Sequence, residues 1–179
     1  MSKKVLILSG SPRKKGNSDL LCDEFMRGAV ESGADVEKIC LRDKKIGFCQ
    51  ECLYCHKSDG VCALKDDMAE ILDKIDAADV IVLASPVFFY SIDAQMKALI
   101  DRCYARWTKI KNKEFYYILT AADEAANATD CPLECFRGLA RCLAGSQEKG
   151  VVLAKGVLEA GEIRTKKEFQ LAYETGKNV

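Results

Sequence analysis

Residues 79–85, Asp-Val-Ile-Val-Leu-Ala-Ser, form an almost unbroken apolar run. Side chains of a strand point alternately to its two sides, so such a run needs cover above and below, as in the interior of a parallel sheet. Lys4–Gly10 (KVLILSG) and Glu114–Thr120 (EFYYILT) read as strands of similar character, and Asp35–Leu41 (DVEKICL) as a second strand. Gly150–Leu158 (GVVLAKGVL) holds a fifth. Parallel neighbours cannot be joined by tight turns, so each pair needs a crossover, normally a helix.

The intervening segments supply those crossovers. From Asn17 or Ser18 onward, Leu20, Leu21, Phe25, Ala29 and Val30 fall on one helical stripe that Gly33 ends. Asp67 opens a helix with Glu70 at the spacing of a capping box, and Met68, Ile71, Leu72 and Ile75 form its apolar face. A helix from about Asp93 to Arg106 carries Met96, Leu99, Ile100 and Cys103 on one side. Leu133–Leu143 reads as helix; the last one opens at Thr165, with Glu168 in capping-box register, and ends near Gly176. The expected class is α/β: a flavodoxin-like, doubly wound three-layer sandwich around a five-stranded parallel sheet of order 2-1-3-4-5. With 179 residues the chain reads as a single domain, 1–179, carrying a Cys-rich insertion loop over 42–65.

Charge and hydropathy narrow the partners. Lysine and arginine total 27 against 27 acidic residues, so no electrostatic footprint for nucleic acid exists. The longest apolar run, Val80–Tyr90, is too short to span a bilayer and is interrupted by Pro86, and the first residues lack an apolar stretch of signal-peptide length. We expect a cytoplasmic protein that binds neither nucleic acid nor membrane. In that reducing setting the ten cysteines argue for metal or redox chemistry, with disulfides the weakest reading.

In a 2-1-3-4-5 sheet, ligands bind at the switch between strands 1 and 3, beyond their C-terminal ends. The first switch-point loop, Ser9–Ser18 (SGSPRKKGNS), leads into a helix N-terminus. Free backbone N–H groups, short hydroxyls and the positive helix end make an anion site there, to which Arg13 adds a charge. It has the spacing of neither a nucleoside-triphosphate P-loop nor a dinucleotide-binding loop. The second, Ser85–Asp93 (SPVFFYSID), presents Pro86, Val87, Phe88, Phe89 and Tyr90 at the crevice mouth. Aromatic and apolar groups placed so suit a flat ring. A phosphate cradle beside a ring platform points to flavin mononucleotide, FMN.

The segments ILSGSPRKKGNS, CQECLYCHKSDGVCALKDDM and ASPVFFYSIDAQMKALIDR, all within residues 4–102, resemble the NADPH-dependent FMN reductase family, and the cysteine-bearing form is similar to its iron–sulfur flavoprotein branch. By that resemblance Ser9, Ser11, Arg13, Asn17 and Ser18 hold the phosphate, and Pro86, Val87, Phe88 and Phe89 line the isoalloxazine ring. A third loop, Thr120–Ala128, borders the ring but has Ala121 and Ala122 where glycine is common in the family, so no flavin contact is assigned to it. Arg102 ends a family-like Asp-Arg pair and reads as a surface or interhelix ion pair.

Cys49, Cys52, Cys55 and Cys62, spaced C-x2-C-x2-C-x6-C, match the compact motif of iron–sulfur flavoproteins, which implies a 4Fe–4S cluster on those four thiolates. Plain thiols that shape the loop, and a four-cysteine zinc site, stay open as alternatives. Cys22, Cys40 and Cys103 read as small buried side chains, Cys131, Cys135 and Cys142 as one helical face, and His56 as an exposed loop residue. The expected function is an FMN-dependent oxidoreductase taking electrons from NAD(P)H or a ferredoxin-like donor to a quinone, another small acceptor or the cluster. No side chain acts as general acid or base, because the cofactor carries the chemistry. A non-catalytic electron carrier, or a Cys-rich metal-binding or redox-sensing module without flavin, are the competing readings. Phe88–Tyr90, costly to leave wet, point to a homodimer or homotetramer.

Overall fold

In a computed structural model, which describes residues 2–179, the five apolar runs form one sheet. β1 (Lys4–Ser9), β2 (Asp35–Cys40), β3 (Val80–Pro86), β4 (Glu114–Thr120) and β5 (Gln147–Ala154) are all parallel, in the order β2-β1-β3-β4-β5. The period of two is visible along β1, where Val5 and Ile7 enter one core and Leu6 and Leu8 the other. β3 and β4 divide in the same way, with Val82 and Ile118 against Leu83 and Tyr117.

Helices cover both faces. α1 (Asn17–Glu31) and α6 (Lys167–Lys177) pack on one through Leu21, Phe25 and Ala172. α3 (Met68–Ala77), α4 (Ala94–Arg102) and α5 (Asp130–Cys142) pack on the other through Met68, Ile71, Met96, Leu99 and Phe136. The long segment after β2 stays irregular apart from a 3-10 turn at Leu41–Asp43 and a single helical turn, α2 (Tyr54–Lys57). No helix of the described residues is long and apolar enough to cross a membrane.

Neither expected capping box forms. The Asp67 carboxylate accepts the Lys45 N–H at 2.7 Å, so it is Asp66 that accepts the Met68 N–H at 3.1 Å. Glu70 turns instead to Lys74, 2.9 Å away and one helical turn on. The last helix begins only at Lys167, because the Thr165 hydroxyl donates to the Glu162 carbonyl at 3.0 Å within a preceding 3-10 turn.

α1 and α6 touch backbone to backbone at two glycines. A Cβ on Gly28 would lie 2.1 Å from the Tyr173 carbonyl oxygen, and one on Gly176 would lie 2.1 Å from that of Phe25. Alanine in a helix gains about 1 kcal/mol over glycine, but forcing two backbones apart costs about 1–3 kcal/mol or more. Sterics therefore win. Gly28→Ala and Gly176→Ala should each lower stability by about 1–3 kcal/mol, seen as a lower urea midpoint at unchanged slope. A raised midpoint would refute the close packing.

Candidate functional site

The switch point is organised by one buried carboxylate. β1 is followed by Gly10, whose N–H donates to the Ala84 carbonyl at 2.8 Å. A Cβ there would stand 2.1 Å from Asp93 Oδ2, so the position accepts only glycine. Asp93 caps α4 by accepting the Met96 N–H at 2.9 Å, and the Ser85 hydroxyl donates to its other oxygen at 2.6 Å. Burial pushes this carboxyl above its usual range, against the donors of Ser85 and the helix end. Phosphate loop, ring loop and α4 thus meet on one side chain.

The first turn of α1 opens onto the cleft. Gly16, the residue just before it, offers no side-chain cap, and the leading N–H groups of a helix have no intrahelical acceptor. Ser18 is 1% exposed, and its buried hydroxyl has no partner among the described residues. A buried hydroxyl left unsatisfied at an uncapped helix N-terminus is a donor arrangement that fits a phosphate group. The cleft is lined by Ser11, Pro12, Arg13, Gly16, Asn17 and Ser18 on one side and by Pro86, Val87 and Phe88 on the other.

Of the expected phosphate residues, Ser9, Ser11 and Asn17 have side-chain partners within the chain; the Ser11 hydroxyl donates to the Arg13 carbonyl at 3.0 Å. Ser9 is wholly buried beneath the cradle, donating to Asp19 Oδ1 at 3.2 Å. The Asn17 side chain reaches the cleft but donates to the Glu159 carbonyl at 2.9 Å and accepts from the Gly161 N–H at 3.0 Å. It fixes the loop after β5, whose Val157 and Leu158 complete the cleft together with Thr120 and Ala122. Thr120 and Ala122 belong to the loop expected to border the ring, to which no contact was assigned; Val157 and Leu158 were not foreseen. Apolar residues after a strand give no signal of which pocket they will face. Arg13 lies at the mouth, its Nη1 donating to the Leu158 carbonyl at 2.9 Å.

Beneath the cradle lies a compact charge group. Asp19 pairs with Lys38 at 2.6 Å and Arg42 at 3.3 Å and accepts the Lys15 N–H at 3.1 Å. Burial alone would raise the Asp19 carboxyl, but the bond from Lys38 and its charge, the Lys15 N–H and the Arg42 charge hold it below the usual carboxylate range. Lys38 also pairs with Asp23 at 2.6 Å.

The ring loop is a tight turn. Phe88 and Ser91 exchange two backbone hydrogen bonds of 2.9 Å, and both residues between them, Phe89 (φ 47°) and Tyr90 (φ 59°), are left-handed. This is the geometry of a type I′ turn, normally built from asparagine and glycine. Bulky side chains there cost roughly 1–3 kcal/mol each. The Tyr90 hydroxyl donates to Asp123 Oδ2 at 2.6 Å, which lowers the Asp123 carboxyl and raises the phenol. Phe88 lines the cleft, whereas Phe89 is 100% exposed and lies over a neighbouring depression with Tyr90 and Asp123.

Cys49, Cys52, Cys55 and Cys62 all line one further depression, walled by Arg102 and Tyr104. Left-handed Glu51 (φ 50°) and Leu53 (φ 57°) flank Cys52 and turn the chain back on itself. Four thiols around one hollow are the donor chemistry of a cluster site. In the described residues the cysteines share a wall, but no three His, Cys, Asp or Glu side chains converge tightly enough to hold an ion. His56 packs its ring 5.1 Å from Tyr104. Burial pushes the Cys22 and Cys103 thiols up to about 12, while Cys40 is only half-buried and Cys131 and Cys142 on α5 are exposed. Arg102, expected as a surface or interhelix ion pair, does form an ion pair, from the end of α4 to Asp66 just before α3 at 2.7 Å and 2.9 Å, but it is deeply buried and not at the surface.

Comparison with known proteins agrees with this layout. Residues 3–130 match the family described as NADPH-dependent FMN reductase. An iron–sulfur flavoprotein of Methanocaldococcus jannaschii is 46% identical over 99 residues, covering 55% of this chain and 51% of that protein. One of Archaeoglobus fulgidus is 39% identical over 99 residues, covering 55% and 44% respectively. The chain spans about half the length of these relatives. Among solved structures, an NAD(P)H:quinone oxidoreductase from Methanothermobacter marburgensis shares the fold with a TM-score of 0.79 at 18% identity, covering 99% of this chain and 96% of that one.

The Asp19 group has a measurable pH signature. A carboxyl whose folded pKa is depressed contributes stability above its unfolded value, near about 4, and loses it as pH falls through the folded value. Asp19→Asn should cost about 2–4 kcal/mol at neutral pH, at the low side for a buried pair because Lys38 retains Asp23. Urea titrations from neutral to acid pH should show the gap between the two proteins closing below about pH 4. A gap independent of pH would mean that the charge of Asp19 is not what matters.

Proposed function

Because the chain belongs to the NADPH-dependent FMN reductase family, we propose that it is an FMN-dependent oxidoreductase moving electrons from NAD(P)H or a ferredoxin-like donor to a quinone or other small acceptor. The observation that carries this reading is the unpartnered, buried Ser18 hydroxyl at the uncapped start of α1, facing a cleft whose other wall is Pro86–Phe88. When bound, FMN accepts electrons in pairs as hydride and releases them singly or in pairs. The chain's own residues do the holding. Ser18, Ser11 and the first N–H groups of α1 bind the phosphate, Arg13 adds positive charge at the mouth, and Pro86, Val87 and Phe88 exclude water from one side of the ring. No lining side chain of the cleft has to move a proton.

The branch that the chain resembles supports a second cofactor. Cys49, Cys52, Cys55 and Cys62 would hold a 4Fe–4S cluster, for which the loop supplies four thiols around one hollow. The exposed Phe88, Phe89 and Tyr90 form a patch that a second copy of the chain would cover, making a homodimer or homotetramer. A clean monomer in sedimentation velocity at micromolar concentration would sink that assembly.

Ser18→Ala should weaken FMN binding about 10–100-fold, the loss of one charge-assisted hydrogen bond. The readout is flavin fluorescence quenching on titration of the apoprotein. Riboflavin, which lacks the phosphate, should bind both proteins equally. An equal loss for both flavins would place Ser18 away from the phosphate. Protein purified without oxygen should show flavin bands with about four irons and matching acid-labile sulfide per chain. Flavin without iron would leave the four cysteines as plain thiols.

A further inference from the structure

The irregular segment that carries the four cysteines needs fixed points, and Arg102 at the end of α4 supplies them. Its Nη1 donates to the Gly47 carbonyl at 2.8 Å and to Asp66 Oδ2 at 2.7 Å, and its Nη2 donates to Asp66 Oδ1 at 2.9 Å. Gly47 precedes Cys49 and Asp66 follows Cys62, so one guanidinium closes the neck of the loop. Asp66 is itself fixed by the Gly47 N–H at 2.8 Å and the Met68 N–H at 3.1 Å. The paired Arg102 holds that carboxyl below its usual range.

One nitrogen of Arg102 is left without a partner. Its Nε–H is buried and has no partner among the described residues, on a side chain only 2% exposed. The same guanidinium lines the hollow shared by the four cysteines, Cys62 among them. An unsatisfied buried donor is unfavourable, and native structures rarely keep one without a use.

We propose that Arg102 is the positioning residue of the four-cysteine site: through Gly47 and Asp66 it holds the loop closed, and its Nε–H is the donor kept for the sulfur of Cys62 when that sulfur carries negative charge. The donor role rests on the reading of these cysteines as cluster ligands; the closing role does not. Hydrogen bonds to ligand sulfur raise a cluster's reduction potential. Lysine, a point charge without a planar fork, cannot serve Asp66, Gly47 and Cys62 together.

The test compares the full chain with Arg102→Lys and Asp66→Asn, each checked for folding by circular dichroism and by retained FMN binding. Cofactor-free proteins are treated with iodoacetamide, and alkylation is followed at each cysteine by mass spectrometry, with Cys131 and Cys142 as internal references. Cys62 should react about tenfold faster in both variants, as expected for a loop that opens more often. Unchanged rates in both would overturn the closing role. After anaerobic reconstitution with iron and sulfide, Arg102→Lys should lower the one-electron midpoint potential by the equivalent of about tenfold, about 59 mV. Asp66→Asn, which keeps the Nε–H, should move it less. An unchanged potential in Arg102→Lys would overturn the donor role. Wild-type protein that takes up neither iron nor sulfide would sink the cluster reading and the donor role with it, while the alkylation rates still decide the closing role.

Discussion

The contact between Gly10 and Asp93 governs the geometry of the molecule's working end. β1 and β3 lie side by side, so the loops leaving them are forced together at the switch point. Asp93 fills the gap between those loops so tightly that no side chain fits at residue 10. The same carboxylate ends β3's polar needs at Ser85 and starts α4. A carboxylate so buried is tolerated because a hydroxyl and the helix N-terminus stabilise its charge. α4 then runs to Arg102, so the helix that begins at the flavin cleft ends at the cysteine hollow.

The phosphate end is tuned from below. Asp19 in the first turn of α1 would by itself repel an anion bound at that helix end. Lys38 and Arg42 offset that charge, and each pairs with a second carboxylate as well, Asp23 and Asp43, so the group beneath the cradle is close to neutral and Arg13 is left to supply the positive charge. Such a group is a weak source of net stability, since taking the charges out of water offsets most of their attraction. Its use is orientation: Asp19 binds Ser9 at the end of β1 and the backbone of Lys15 within the loop.

The sheet was legible because its signal is redundant. Val80–Leu83 are apolar on both faces, and no other element type satisfies that run with those neighbours. The order 2-1-3-4-5 followed, and with it the two loops that carry the cleft. What failed to show was the partner of each polar group. Ser9, Ser11 and Ser18 look alike as letters, yet one is held by Asp19, one turns back on Arg13, and one is left free. Asp67 and Glu70 carry a capping box by spacing, but Lys45 and Lys74 reach them first. Arg102 reads as a surface or interhelix ion pair, but its burial and its partner did not show, because the carboxylate that receives it is 36 positions away.

The Phe89–Tyr90 turn sets stability and coverage against each other. Asparagine and glycine at these positions would relieve the left-handed strain, by roughly 1–3 kcal/mol for each aromatic replaced. They would also delete the fully exposed ring and the phenol that fastens this loop to Asp123. Selection for a sturdier chain and selection for a hydrophobic brim beside the cleft therefore pull these two residues in opposite directions. A thermostabilising screen that ignores redox function should keep finding substitutions at this turn.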